Sequence, residues 1–414
     1  MGKLVVLMFT AFVDMVGFII VWPLLPFYAA DLGANDFAVG LLISAFSVAQ
    51  LLSAPAWGRF SDRRGRRPAI LLGLMISAGA YVVFAFADSL ALLLVSRVVQ
   101  GIGGGTIGVV QAYVADSSAP EDRAKSLGWL SAATSLGAII GPAIGSLLVQ
   151  LGGRSAPGLG AATLCLGVAV FAWKFLQEPR YEIDSGSHTA THPITGRAAV
   201  IGVLTHPRAT TSRLILIYAI AIGGFYGTGA LFPLIVAERF GITESTIGYL
   251  VMYFGGMGLL VRATILGPVV ERVGEVRLCR VGLSMLALGL ALLGIARTWP
   301  MLIASITLMP LGTAFTFPCV TAMLTRAIHK RERGLYLGVQ ATYGGISRVA
   351  FPLLGGLLME ALGRGTAYVV AGFLVAATLP LAFGLTLQDK KEAVVDAPPP
   401  EGSVTAEHPV AGSQ

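Results

Sequence analysis

A chain of 414 residues, 55% hydrophobic and only 12% charged, is no ordinary soluble domain, which carries roughly 25% charged residues. The net charge of +7 is spread over short loops rather than gathered on one face, which favours membrane anchoring over nucleic-acid binding. Cys165, Cys279 and Cys319 lie in or beside apolar segments and outline neither a disulfide framework nor a metal site.

The first apolar run, after Met1-Gly2-Lys3-Leu4, is too long for a signal-peptide core and shows no small-residue cleavage site, so an uncleaved first span is expected. At ~20 apolar residues per crossing, about twelve helices are expected. The first six lie near 4–30, 37–58, 68–88, 90–116, 124–150 and 157–177. The second six lie near 213–238, 245–270, 277–297, 299–325, 334–361 and 365–387. The fold class is therefore an all-α membrane protein. Two six-helix halves (1–177 and 213–387) are joined by a cytoplasmic linker at 178–212, and a disordered cytoplasmic tail covers 388–414. The linker opens on Glu178-Pro179-Arg180, and Gly196–Leu204 within it reads either as a short interfacial helix or as plain linker.

Loop charge alternates. Loops after spans two, four, eight and ten carry Arg59, Arg63, Arg64, Arg66, Arg67; Arg123, Lys125; Arg272, Arg277, Arg280; and Arg326, Lys330, Arg331, Arg333. The opposite loops offer Arg154, Arg239, Arg297 and Arg364. By the positive-inside rule both termini are expected in the cytoplasm, and the protein in the cytoplasmic membrane.

The densest charge lies in Gly58–Pro68, read as a short loop between spans two and three. Gly58 suits close backbone approach, Gly65 an unusual backbone angle, and Pro68 a helix start. Asp62 and Arg66 suggest a latch. Asp62 would accept from the first amides of span eleven, near Gly334, and Asp116 at the end of span four would pair with Arg66. The bland alternative is a topology loop with incidental pairs.

The chain also repeats itself. Gly17-Phe18 and Pro26 match Gly224-Phe225 and Pro233; Gly58, Asp62, Arg63 and Gly65 match Gly267, Glu271, Arg272 and Gly274. Leu127-Gly128, Pro142 and Gly145 match Leu337-Gly338, Pro352 and Gly355, all at offsets of 207 to 210. Six spans repeated with one orientation make two parallel halves about an axis normal to the membrane, with a site between them at mid-depth.

Few ionisable residues enter the spans. Asp14 is the one acid placed deep in a helix, where burial lifts a carboxyl toward the working range of a proton carrier; the alternative is a structural aspartate held by neighbours. Arg97, Gln100, Gly104, Gly108 and Gln111 share one face of span four, pointing to a cavity or helix contact. Arg97 is the natural counter-charge for Asp14. Arg262 and Arg348 also fall inside the membrane without an evident acidic partner. Gly137, Gly141 and Gly145 form a groove for a neighbouring helix, and Pro142 favours a bend. The five histidines (His188, His192, His206, His329 and His408) fall in loops or the tail, and no nucleotide-binding glycine loop appears.

Four of these patterns, in order along the chain, resemble the major facilitator superfamily, in its drug:proton antiporter group that includes tetracycline exporters. Gly58-x-x-x-Asp62-Arg63-x-Gly65-Arg66-Arg67 is similar to that family's loop between helices two and three. Asp14 with Gly17, Pro23 and Pro26 is similar to its first helix, and Arg97-x-x-Gln100-Gly101 to its helix-four motif. Gly137-x-x-x-Gly141-Pro142-x-x-Gly145 is similar to the helix-five signature of exporters. The resemblance implies a secondary transporter that expels small amphipathic compounds in exchange for protons, working as a monomer with no cofactor and no metal. Asp14 and Arg97 would couple protons, Gln100, Gln111, Arg262 and Arg348 would line the substrate cavity, and the Gly58–Arg67 motif with Asp116 would be the latch. The tetracycline exporters' further acidic positions in spans three and nine are apolar here, around Ala80 and Leu286, which argues against a magnesium–tetracycline substrate. A metabolite facilitator or uptake carrier and a non-transporting sensor are the competing readings; no nucleophile–base or metal cluster suggests an enzyme.

Overall fold

The computed structural model describes residues 3–119, 121–178, 196–329 and 332–383, and its regular structure there is entirely helical. Lys330, Arg331, His188, His192, His408, Pro179, Arg180 and the tail lie outside the described residues. Span one is Lys3–Val21 with Leu25–Asp31, span two Asp36–Arg64, span three Arg66–Ala85, span four Leu90–Gly104 with Ile107–Asp116, span five Arg123–Gly152 and span six Ala156–Phe175. In the second half span seven is Thr210–Ile222, a π turn at Gly223–Gly227 and Phe232–Phe240; span eight is Ile247–Thr264 with Leu266–Val273. Spans nine to twelve are Glu275–Ile295, Trp299–Ala327, Arg333–Leu362 and Arg364–Ala376 with Leu379–Phe383. Among the described residues, eleven helices are long and apolar enough to cross a membrane, or twelve when the bent segment that includes Thr210–Gly227 is counted.

Local chemistry sets the ends. The Asn35 side chain caps span two by accepting from the Ala38 amide at 2.8 Å, and Ser89 caps span four. Pro26 and Pro233 sit in first turns, where a missing N–H leaves no bond unmade. One correction concerns Gly58–Arg64, expected as loop. It is the last part of the span-two helix, and Gly65 alone, at φ +101°, separates spans two and three. The helix simply outlasts the hydrocarbon, because a helical backbone satisfies itself in water as well as in lipid. The linker segment Gly196–Thr205 is helical, and its Ala198–Thr205 part meets span seven at 92°. Its Ala199 and Val203 are buried while Ile201 and Leu204 are exposed, and the Tyr343 hydroxyl donates to the Val200 carbonyl at 2.9 Å.

The internal repeat extends to single contacts. Arg66, opening span three, pairs with Asp116 at the end of span four at 3.0 Å. Glu275, opening span nine, pairs with Arg326 near the end of span ten at 2.9 Å. The positions correspond and the charges are exchanged. Arg123 donates to the Ala115 carbonyl, and Arg333 to the Thr325 carbonyl, both at 3.0 Å.

The halves meet through spans two with eleven and five with eight. Gly40 lies against the Pro352 carbonyl and Gly248 against the Pro142 carbonyl, so that a Cβ at either glycine would strike backbone. Span five runs through Pro142 as one assigned helix. Around these contacts the end opposite the arginine-rich loops is sealed. Arg364 grips Asp36 with Nε and Nη2, each at 3.0 Å, and Asn35 donates to Glu360 at 2.9 Å. Ser146 donates to the Glu244 carbonyl and Gln150 to the Ser245 carbonyl, both at 2.7 Å. The bonds seen between the halves among the described residues reach from this seal to Ser44, which donates to Val349 O at 2.8 Å. The molecule is closed at the arginine-poor end.

Two predictions concern this seal. Asp36→Asn removes a charge-assisted, two-pronged contact worth about 2 kcal/mol, enough to shift an open–closed equilibrium about thirtyfold. Modification of Ser44→Cys by a membrane-impermeant maleimide should accelerate accordingly in the Asp36→Asn background; an unchanged rate would show that the pair does not hold the seal. The second concerns Glu244, whose carboxyl is raised above its ordinary range by burial and then by the nearby Asp31 charge. A carboxyl that binds its proton more tightly in the closed form favours closure as pH falls through its pKa and opposes it once ionised. The same maleimide rate, divided at each pH by that of a free thiol to remove the loss of thiolate, should therefore fall on acidification and lose that residual dependence in Glu244→Gln.

Candidate functional site: the central cavity

Below the seal, a cavity of about 1400 Å³ runs between the halves. Drug-sized pockets are commonly ~300–1,000 Å³, so the space admits a ligand with room for water. Asp14 from span one and Arg97, Gln100, Gly104, Gly108 and Gln111 from span four line one wall. Arg262 from span eight and Arg348 from span eleven line the other. The structure thus brings together the polar residues singled out in the spans. Ala80 and Leu286 are fully buried and do not line the cavity.

The expected Asp14–Arg97 pair is not formed. The Asp14 side chain makes no ion pair or hydrogen bond among the described residues. Arg97 is 4% exposed, with its guanidinium 4.9 Å from the Phe84 ring centroid and its Nε 3.4 Å from Ser96 Oγ. Its Nη2 has no partner, nor has Oε1 of Gln100, whose amide donates to the Tyr81 hydroxyl at 2.7 Å. Tyr81 lies within the fields of both Asp14 and Arg97. An aromatic face and a neighbouring hydroxyl are weak partners for a buried cation. The arrangement leaves one carboxyl and one guanidinium on the same cavity wall and unmatched, as sites able to change partners.

The second-half wall is aromatic. Phe225 stacks on Phe254 with centroids 5.0 Å apart, Phe317 meets Phe225 edge-on at 6.3 Å, and Tyr218 packs on Phe317 at 5.5 Å. Arg348 stands 6.0 Å over Tyr226 and beside Tyr218. Sequence reasoning missed these rings, since an aromatic on an apolar helix reads equally as core or as cavity wall.

At the arginine-rich end Arg66 bonds Asp62 at 2.6 Å, Ser61 at 2.7 Å and Asp116 at 3.0 Å. Among the described residues, the cross-half bond expected from Asp62 to span eleven is not formed. The Asp62 side chain is 61% exposed, and nothing lies near the faces of Gly58 and Gly334, because the halves are apart at this end. Arg63 is exposed, while Arg67 donates to the Trp173 carbonyl. Glu178, unassigned in the sequence, closes the network. Its two carboxylate oxygens accept from the amides of Arg66 at 2.5 Å and Arg67 at 2.9 Å, capping span three from the end of span six. A Glu-Pro pair just after a span was the available signal. Gly137, Gly141 and Gly145 lie against the Phe12, Val16 and Ile20 carbonyls of span one, which places the Asp14 helix directly on span five.

A two-half helical frame around a charged central cavity defines a membrane transporter, and the comparisons agree. The Major Facilitator Superfamily profile matches residues 7–262 and again 214–411. The chain belongs to the Major Facilitator Superfamily and is a multi-pass secondary transporter. It is 30% identical over 388 residues to the class C tetracycline resistance protein of Escherichia coli, covering 92% of this chain and 96% of that one. It is 28% identical to multidrug resistance protein 1 of Bacillus subtilis, covering 93% and 95%. In fold it resembles a solved nucleoside transporter (TM-score 0.74, 12% identity, covering 93% of this chain and all of that one). It also resembles the human organic anion transporter structure (TM-score 0.66, 24% identity, covering 92% and 100%).

The Glu178 cap is open to test. Glu178→Gln keeps one acceptor oxygen but turns an NH2 group toward the second amide, which should cost about 1 kcal/mol. A thermal unfolding midpoint about 1 °C lower than wild type is expected for the purified protein; an unchanged midpoint would remove the cap from its stability.

Proposed function

We propose that the protein is a proton-coupled exporter of small amphipathic compounds in the cytoplasmic membrane. The arginine-rich end and both termini face the cytoplasm, and the state described here is inward-open. The two halves, 1–177 and 213–387, rock about the central cavity as a monomer, joined by the 178–212 linker. The observation that carries this reading is Asp14, the one acidic residue lining the cavity and one with no ion-pair partner among the described residues. Its proton is taken up on one side and released on the other. Arg97 is the candidate to receive the carboxylate when the proton leaves. Gln100 and Gln111 supply neutral donors and acceptors along the same wall. In the outward-open state the arginine-rich ends close, and Asp62, free in part here, meets the first turn of span eleven, so that Gly58–Arg67 with Asp116 biases the equilibrium from outside the cavity. Gly137, Gly141 and Gly145 hold spans one and five as a unit during that motion, while Pro142 of the same motif meets Gly248 of span eight. Similarity to drug-resistance proteins over nearly the whole chain supports export over uptake.

One proton crossing 100 mV contributes ~2.3 kcal/mol, so a single titrating site is enough to drive accumulation. Asp14→Asn in proteoliposomes should abolish substrate-driven proton movement and uphill transport while substrate binding and folding persist. Normal proton-coupled transport by the variant would exclude Asp14 as the coupling site.

A further inference from the structure

We propose that the second-half wall of the cavity is an anion subsite, built around Arg348, that selects aromatic carboxylates or sulfonates as substrates. The inference deepens the export reading and rests on it for the direction in which such a compound would move.

Arg348 lies midway along span eleven, Arg333–Leu362, at the greatest depth available. A cation there is expensive unless water or an anion meets it. Among the described residues it makes no ion pair, and its side chain is exposed to the cavity. Its counterpart in the first half, at the offset of 210 that relates Pro142 to Pro352, is Ala138, which lines the cavity without charge. The packing of the fold at this position therefore does not require an arginine. The guanidinium is a flat fork that matches a carboxylate or sulfonate, with Tyr218 within hydrogen-bonding reach of it and the Tyr226 ring 6.0 Å from it, so both tyrosines border any anion held there. On the same wall the Phe225–Phe254 stack and the Phe317 edge offer a face to an aromatic ring. Ring and anion bound together define the substrate class. Arg262, also lining the cavity without an ion pair, adds to the positive field and disfavours lipophilic cations.

The test uses the full-length protein in nanodiscs and three matched probes: naphthoate, neutral naphthamide and naphthylmethylammonium. Equilibrium binding by wild type should favour naphthoate over the ammonium by about tenfold or more. Arg348→Gln should remove most of that preference while leaving naphthamide affinity unchanged, which shows that the cavity is intact. Arg348→Lys, retaining the charge without the fork, should fall between. Ammonium binding equal to or tighter than naphthoate binding in wild type overturns the proposal. So does an unchanged naphthoate-to-naphthamide ratio in Arg348→Gln, or, where that variant does not fold, in Arg348→Lys. Binding is read without any gradient. Loss of proton exchange with intact naphthoate preference therefore counts against the export mechanism alone, and proton exchange without the preference counts against the anion subsite alone.

Discussion

The state of the molecule depends on backbone meeting backbone between its halves. Gly40 against the Pro352 carbonyl and Gly248 against the Pro142 carbonyl bring helices closer than any side chain permits. In lipid there is little hydrophobic drive between helices, so van der Waals contact over such grooves is a main source of adhesion. The polar bonds of the seal, Asp36–Arg364 above all, sit beside these contacts and complete them. A seal made of a few discrete contacts can be broken and remade as a unit, unlike a continuous core.

Duplication explains the scaffold, and departures from it locate the chemistry. Where the halves agree, the residues hold structure: Gly65 and Gly274 turn between adjacent spans at positive φ, and Arg123 and Arg333 tie corresponding helix ends. The exchanged pair Arg66–Asp116 and Glu275–Arg326 shows that what is retained is the attraction and not the placement of either sign. Asp14, Arg97 and Arg348 have no such echo; their counterparts by offset are Ala221, Ile306 and Ala138. Ionisable groups placed on one half only, each facing the cavity, are the residues the packing of the fold does not need.

The cavity divides by chemistry. One wall carries the lone carboxyl and the buried Arg97, both incompletely satisfied; the other carries rings and an open arginine. Burial of Arg97 among weak partners keeps it poised, since an unmade bond in a low-dielectric site is a large incentive to accept an anion when one appears. Glu178 and Arg66, at the arginine-rich end, organise the ends of spans three, four and six.

Much of this was legible in the linear chain. Twelve apolar runs, the alternation of loop charge and the offset of about 208 residues follow from membrane thickness and duplication, which impose periodic patterns on sequence. Ionisable residues inside spans, such as Asp14 and Arg348, announce themselves because hydrocarbon tolerates few of them. Partnership was decided only in three dimensions. Whether Asp14 reaches Arg97 depends on how side chains pack within the first half, while whether Asp62 reaches span eleven and which end is sealed depend on how the two halves are set against each other. The Glu178 cap and the aromatic wall were also hidden, the first because its partner amides lie about 110 residues away, the second because rings facing a cavity and rings facing a core obey the same helical spacing.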